Sequence, residues 1–210
     1  MKQNNNGAKS ASSRQQNTAA AAGKRQTKNK SEDLMKLFQE ELKDIYGAEK
    51  QLSEALPEVI EAVENTDLKE AFTDHLAETK EHAKRIEKVF SMLSIDREEK
   101  KCKAMEGLIQ EAKDIIKEFE AGSVRDCALI IGAQKIEHYE IATYGSLCEL
   151  AEVLGKHRVS NILDTTLEEE ENADRNLTAL AEMVNDEAME TIEDAGEAVE
   201  ETNTVETAST

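Results

Sequence analysis

Near the middle of four long stretches with helical apolar spacing, acids stand where the core-facing stripe should carry hydrophobes. They are Glu49, Glu78, Glu137 with Glu140, and Glu170 with Asp174. A helix with a purely structural role keeps carboxylates off that stripe, because an unpaired buried charge is strongly destabilising. Four helices that break this rule at one height imply charges that meet and are neutralised together. A pair of bound metal cations does this, and in helical bundles a di-iron or di-manganese centre draws carboxylates from all four helices. Bridging carboxylates hold such cations about 3.5–4 Å apart, and open positions admit oxygen or peroxide.

The match to that pattern is incomplete. The second stretch offers Glu78, with Glu81 three and His82 four residues on, and the fourth has Ala173 and Asp174 after Glu170 but no histidine. A donor set this poor in imidazole is hard and oxygen-rich, which favours iron or manganese over zinc or copper. His82 stands evenly between ligand and neighbour of a ligand, and His75 reads more readily as a core-edge residue. Tyr46, Tyr139 and Tyr144 read as packed rings with satisfied hydroxyls. The plain alternative for the whole layer is hydrated polar contacts or paired salt bridges.

The elements that must position these residues follow from spacing. Leu34, Phe38, Leu42, Ile45, Leu52, Leu56 and Val59 predict a first helix, capped by Ser31, running to about Asn65 with a kink at Pro57. Leu68, Phe72, Leu76, Ile86, Val89 and Phe90 predict a second. A shorter helix over Met105–Phe119 ends near Gly122, Ser123 caps a third long helix, and Gly155 separates it from a fourth over about 157–184. Tight turns make each long pair antiparallel, whereas the long connection in between can cross the whole bundle. That is the up-down-down-up order of an all-α ferritin-like four-helix bundle, with an extra short helix in the crossover. Counting from the turns puts the acids in one slab at mid-height.

The chain of 210 residues carries a formal charge of −19, unevenly spread. Seven basic residues and no acid fall in 1–30, and nine acids and no base in 185–210. Both arms are expected to be disordered, around a bundle over 31–184. A body this acidic repels nucleic acid and anionic membrane and attracts cations; the basic arm alone offers a surface for an anionic partner. No apolar run reaches the length of a membrane span and no secretory signal opens the chain, so a cytoplasmic location is expected. Cys102, Cys127 and Cys148 have no metal-binding spacing and read as reduced, mostly buried residues.

Several segments together resemble the YciF/YciE-like, stress-associated branch of the ferritin-like superfamily. They are Asp44-Ile-Tyr-Gly-Ala-Glu-Lys-Gln-Leu52, His75-Leu-Ala-Glu-Thr79, Ala104-Met-Glu-Gly-Leu108, Ala133-Gln-Lys-Ile-Glu-His-Tyr-Glu-Ile-Ala142 and Glu169-Glu-Glu-Asn-Ala-Asp174. The resemblance covers about residues 34–182 and implies a dimeric di-metal protein of bacterial stress responses. It supports Glu49, Glu78, Glu137, Glu140, Glu170 and Asp174 as the metal-facing set, and leaves His82 outside the shared pattern. The reading is therefore a bundle binding two iron or manganese ions, an oxidoreductase towards oxygen or peroxide. Glu49 and Glu137 serve as terminal ligands, Glu78 and Glu170 as bridges, and Glu140, Asp174 and His82 fill the remaining positions. The alternative is a non-catalytic interaction protein whose polar layer fixes helix register.

Overall fold

Apolar residues at three- and four-residue spacing give five helices, and no strand occurs among the described residues. The computed structural model describes the backbone of residues 8–207 and the side chains of residues 30–190. The helices are α1 (Ala8–Ala62), α2 (Thr66–Leu93), α3 (Lys103–Glu118), α4 (Ser123–Val153) and α5 (His157–Thr207). Asn65 caps α2, its side-chain oxygen accepting the backbone N–H groups of Asp67 and Leu68 at 3.0 Å each. Two of the donors that a helix start leaves unpaired are thereby satisfied. Gly155 turns the chain between α4 and α5 at φ +67°, a conformation that glycine adopts without strain.

Three boundaries differ from expectation. α1 starts at Ala8 rather than at Ser31. The stretch ahead of Ser31 is rich in Ala, Gln, Lys and Arg and lacks proline, so intrinsic propensity extends the helix without an apolar face. α5 likewise runs past Val184 to Thr207. Ser123 is no cap: Gly122 precedes the helix at φ 143° with no side chain to offer, and Ser123 is its first residue. The expected disordered arms fall largely on residues whose side chains lie outside the described ones. Packing does continue to Ala188, which is buried, and Asn65 donates to Glu187 at 3.0 and 3.2 Å.

Topology is read from the ends. Asp126, in the first turn of α4, is 1% exposed and accepts the backbone N–H groups of Glu64 at 3.2 Å and Asn65 at 2.7 Å. α4 therefore starts beside the α1–α2 turn, and α5 returns to that same end at Glu187. α1 and α5 run one way and α2 and α4 the other, the up-down-down-up order of ferritin-like bundles. α3 carries the crossover along α1 and α4.

The connection ahead of α3 presses directly on α1. Gln51 exchanges two hydrogen bonds with the backbone of Cys102, at 2.8 and 3.1 Å. A Cβ on Gly47 would come within 1.8 Å of the Lys100 carbonyl oxygen, a backbone atom that cannot rotate away. Gly47→Ala should therefore lower stability by about 1–3 kcal/mol, as overpacking does. Thermal melts compared with a Gly107→Ala control, whose added Cβ meets nothing within 4 Å, would expose an error in this account.

The core divides in two. One apolar cluster holds Phe38, Leu42, Ile45, Ile86, Phe90, Leu147 and Leu163, and the other holds Val63, Leu68, Phe72, Leu129, Leu177 and Val184. The acid-bearing turns of the four long helices lie between them.

Candidate metal centre

Each long helix presents its polar residues into that middle layer. α1 contributes Glu49; α2 contributes His75, Thr79 and His82; α4 contributes Glu137, Glu140 and Tyr144; α5 contributes Thr166 and Glu170. All are buried, and Glu49, Glu140, His82 and Glu170 have no exposure at all. Donor atoms gather into two groups, each within 4.8 Å: His75 with Glu137, Glu140 and Glu170, and Glu49 with His82 and Glu170. Glu170 belongs to both.

Hydrogen bonding leaves most of these donors free. Glu49 Oε2, Glu137 Oε2, both oxygens of Glu140 and of Glu170, both ring nitrogens of His75 and His82 Nδ1 are buried with no hydrogen-bond partner. Buried polar atoms are nearly always bonded, so so many orphans in one place demand a reason. The close contacts are electrostatic: His82 Nδ1 lies 2.9 Å from Glu170 and 3.6 Å from Glu49, and His75 Nε2 lies 3.3 Å from Glu137.

The protonation states follow from the crowding. Burial pushes Glu140 and Glu137 well above the ordinary carboxylate range, and Glu170 adds to both shifts. Burial also raises Glu49, with His82 opposing it. Burial would lower both histidines, but Glu137 and Glu78 raise His75 to about 9, and Glu170 and Glu49 raise His82 to about 11. Burial works to raise Glu170 as well, yet His82 and His75 outweigh it and hold that carboxylate below its usual value. Imidazolium ions and protonated carboxyls thus neutralise the layer in the absence of another cation. Divalent cations would take the same donors and displace those protons. The orphaned oxygens and nitrogens make a hard, oxygen-rich donor set with two imidazoles, which fits iron or manganese.

Around the cluster, contacts orient its members. Tyr144 is fully buried and donates its hydroxyl to Glu49 Oε1. His82 Nε2 lies 2.9 Å from Glu169, and Arg85 in turn holds Glu169 through both of its terminal nitrogens. A charged Glu169 favours the proton on Nε2, which leaves Nδ1 directed at Glu49 and Glu170.

Of the expected ligands, Glu49, His82, Glu137, Glu140 and Glu170 come together, and two do not. Glu78 points to the edge, with a side chain 48% exposed and Oε2 3.8 Å from His75 Nδ1. Asp174 is 21% exposed and faces His138 Nε2 at 3.6 Å. His75 takes the inward position that sequence reasoning gave to Glu78. The signal for it was the run His75–Thr79–His82–Ile86, which keeps helical spacing without Glu78. Nothing in the sequence pointed to the Arg85–Glu169 pair, which joins two helices far apart in the chain.

Because Glu140 is buried with both oxygens unpartnered, it is a stability liability whenever the layer holds no metal. Glu140→Leu should stabilise the metal-free protein by about 1–3 kcal/mol, as hydrophobic replacement of buried ionic groups often does, while weakening cation binding. A chemical denaturation midpoint no higher than wild type would refute this.

Residues 33–190 match a family described as a domain of unknown function, DUF892. The chain is 50% identical to Protein YciF of Escherichia coli (strain K12) over 143 residues, 67% of this chain and 85% of that protein. It is also similar to the crystal structure of the E. coli stress protein YciF, with a TM-score of 0.71 and 45% identity over 73% of this chain and 97% of that one. A second solved structure, YcfI from Rhodopseudomonas palustris, described as a suggested structural protein, gives a TM-score of 0.68 at 40% identity over 69% of this chain and 92% of that one.

Proposed function

The chain belongs to the DUF892 family and is similar to the E. coli stress protein YciF, and we propose that it is a stress-associated di-metal carboxylate protein. The observation that carries this reading is the pair of donor groups sharing Glu170. In it, Glu170 would be shared by both cations, Glu49 and His82 would hold one, and His75, Glu137 and Glu140 would hold the other. Glu78 and Asp174 stand outside the set. Two bound iron or manganese ions supply redox chemistry towards oxygen or peroxide, an oxidoreductase role.

The protein's own part is to bind, orient and exclude water. Glu169, held by Arg85, keeps the His82 proton on Nε2 and its Nδ1 lone pair towards the cluster. Tyr144 fixes the Glu49 carboxylate. The two apolar clusters close the layer from either end, which strengthens every electrostatic contact inside it. The same reading takes the protein to be a cytoplasmic homodimer whose basic N-terminal segment supplies the charge for an anionic partner. No described helix is long and apolar enough to cross a membrane.

Elemental analysis of protein purified without chelator tests this first. About two iron or manganese ions per chain are expected, together with metal-dependent consumption of peroxide, or of iron(II) with oxygen. No metal after anaerobic reconstitution with iron(II) would leave the second reading, a non-catalytic structural protein whose polar layer sets helix register. The description of the Rhodopseudomonas palustris relative favours that alternative.

A further inference from the structure

A cleft of about 320 Å³ opens between α2 and α5 and reaches the buried layer. Its floor is His75 and Glu137, 7% and 2% exposed, and its rim carries Asp74 and Glu78 from α2 and Asn172 and Asn176 from α5. No lysine or arginine lines it. At the floor, both His75 nitrogens and Glu137 Oε2 are buried with no hydrogen-bond partner. The cleft between α1 and α4 and the cleft at the α2 C-terminus, both of similar size, contain no donor of the cluster. We propose that divalent cations reach the centre through the α2–α5 cleft, and that Glu78 is the carboxylate that takes them first and passes them to His75 and Glu137. This rests on the metal-binding reading above and adds the route and the class of ligand that travels it.

Charge and position support the assignment. An approaching cation meets carboxylates and amide groups at the rim, then unpaired donors at the floor, so each step inwards replaces hydration with protein oxygen or nitrogen. An anionic organic substrate would meet the carboxylates of Asp74 and Glu78 first, at the rim. Glu78 spans the two levels: its side chain is half exposed, yet Oε2 lies 3.8 Å from His75 Nδ1. A carboxylate fixed permanently in the cluster would be buried like Glu140.

The experiment is anaerobic stopped-flow absorbance with cobalt(II) and the full-length, metal-free chain. Glu78→Gln should slow loading on the order of tenfold, the lower end of electrostatic steering, and flatten its dependence on ionic strength. Final cobalt content should equal that of wild type. Ala173→Phe, which places a ring in the cleft from α5 and replaces no donor, should slow loading in the same way. Wild-type rates in both variants would overturn the route while leaving the centre intact. A lower final content in Glu78→Gln would overturn its role as carrier and make it a permanent ligand. Failure of the wild-type chain to take up cobalt at all would overturn the centre and its entrance together.

Discussion

Glu170→Gln should empty both cation positions at once. Glu170 is the one residue common to the two donor groups, is fully buried, and leaves both of its oxygens without hydrogen bonds. Glutamine keeps the volume and one acceptor oxygen but removes the charge and the second oxygen, so neither position retains a shared carboxylate. Wild type should hold about two ions per chain and the variant close to none, whereas Glu49→Gln should lose the ion on its own side first. The helices should survive, because Glu49 and Glu169 still face His82. A stability loss of about 1–3 kcal/mol is expected from removing a buried partner of a charged group. Elemental analysis beside circular dichroism is the check. One ion retained at full occupancy in Glu170→Gln would refute the shared bridge, and a loss of helicity would mean that the residue is needed for folding.

The metal-free protein should become less stable as the pH rises from about 5 to 9, and metal should reverse the trend. Glu137 and Glu140 are raised well above the ordinary 4.5, so the native state binds protons that the unfolded chain has already released. Stability from these groups is present at acid pH and falls as the pH climbs from 4.5 through their native values. His75 and His82 act in the same direction at higher pH. Their contribution is complete below the ordinary 6.5 and is lost as the pH passes about 9 for His75 and about 11 for His82. Glu170 opposes the trend, since a lowered carboxylate contributes above 4.5 and loses that contribution on acidification. Within the layer it is one group against five, because Glu49 is raised as well.

Cations compete with the same protons, so metal affinity should strengthen as the pH rises. At a hundredfold excess over Kd the gain is about 2.7 kcal/mol, or roughly 5–10 °C in Tm for a chain of this size. Melting curves at pH 5.5, 7 and 8.5, with and without manganese, should therefore diverge towards alkaline pH. Parallel curves would mean that the carboxyls of the layer do not carry the binding.

The positions of Glu78 and His75 mark how far the sequence could be read. Spacings of three and four residues both lie on one helical face, so His75–Glu78–His82 and His75–Thr79–His82 were equally good stripes. Only the angle at which α2 meets α1 and α5 puts Thr79 inside, fully buried, and Glu78 at the rim. Asp174 misses the cluster for a related reason. One turn beyond Glu170, it rides towards the α4 edge and meets His138, while Leu177 returns to the apolar core. The helix starts were misread differently: propensity alone carried α1 back to Ala8, and amphipathic spacing gives no sign of a helix without an apolar face.

By itself the sequence determined the helical class, the four long helices, the long crossover and the height at which carboxylates break the apolar stripes. These are local or additive properties: periodicity, turn residues and counts along a helix of fixed rise. Tertiary structure alone decided which donors share a space. Helix rotation and crossing set it, bringing Glu170 between two groups, turning His75 inwards and leaving Glu78 at the mouth of a cleft. The Arg85–Glu169–His82 chain belongs to the same class, because contacts between residues more than eighty positions apart exist only once α2 and α5 are packed side by side.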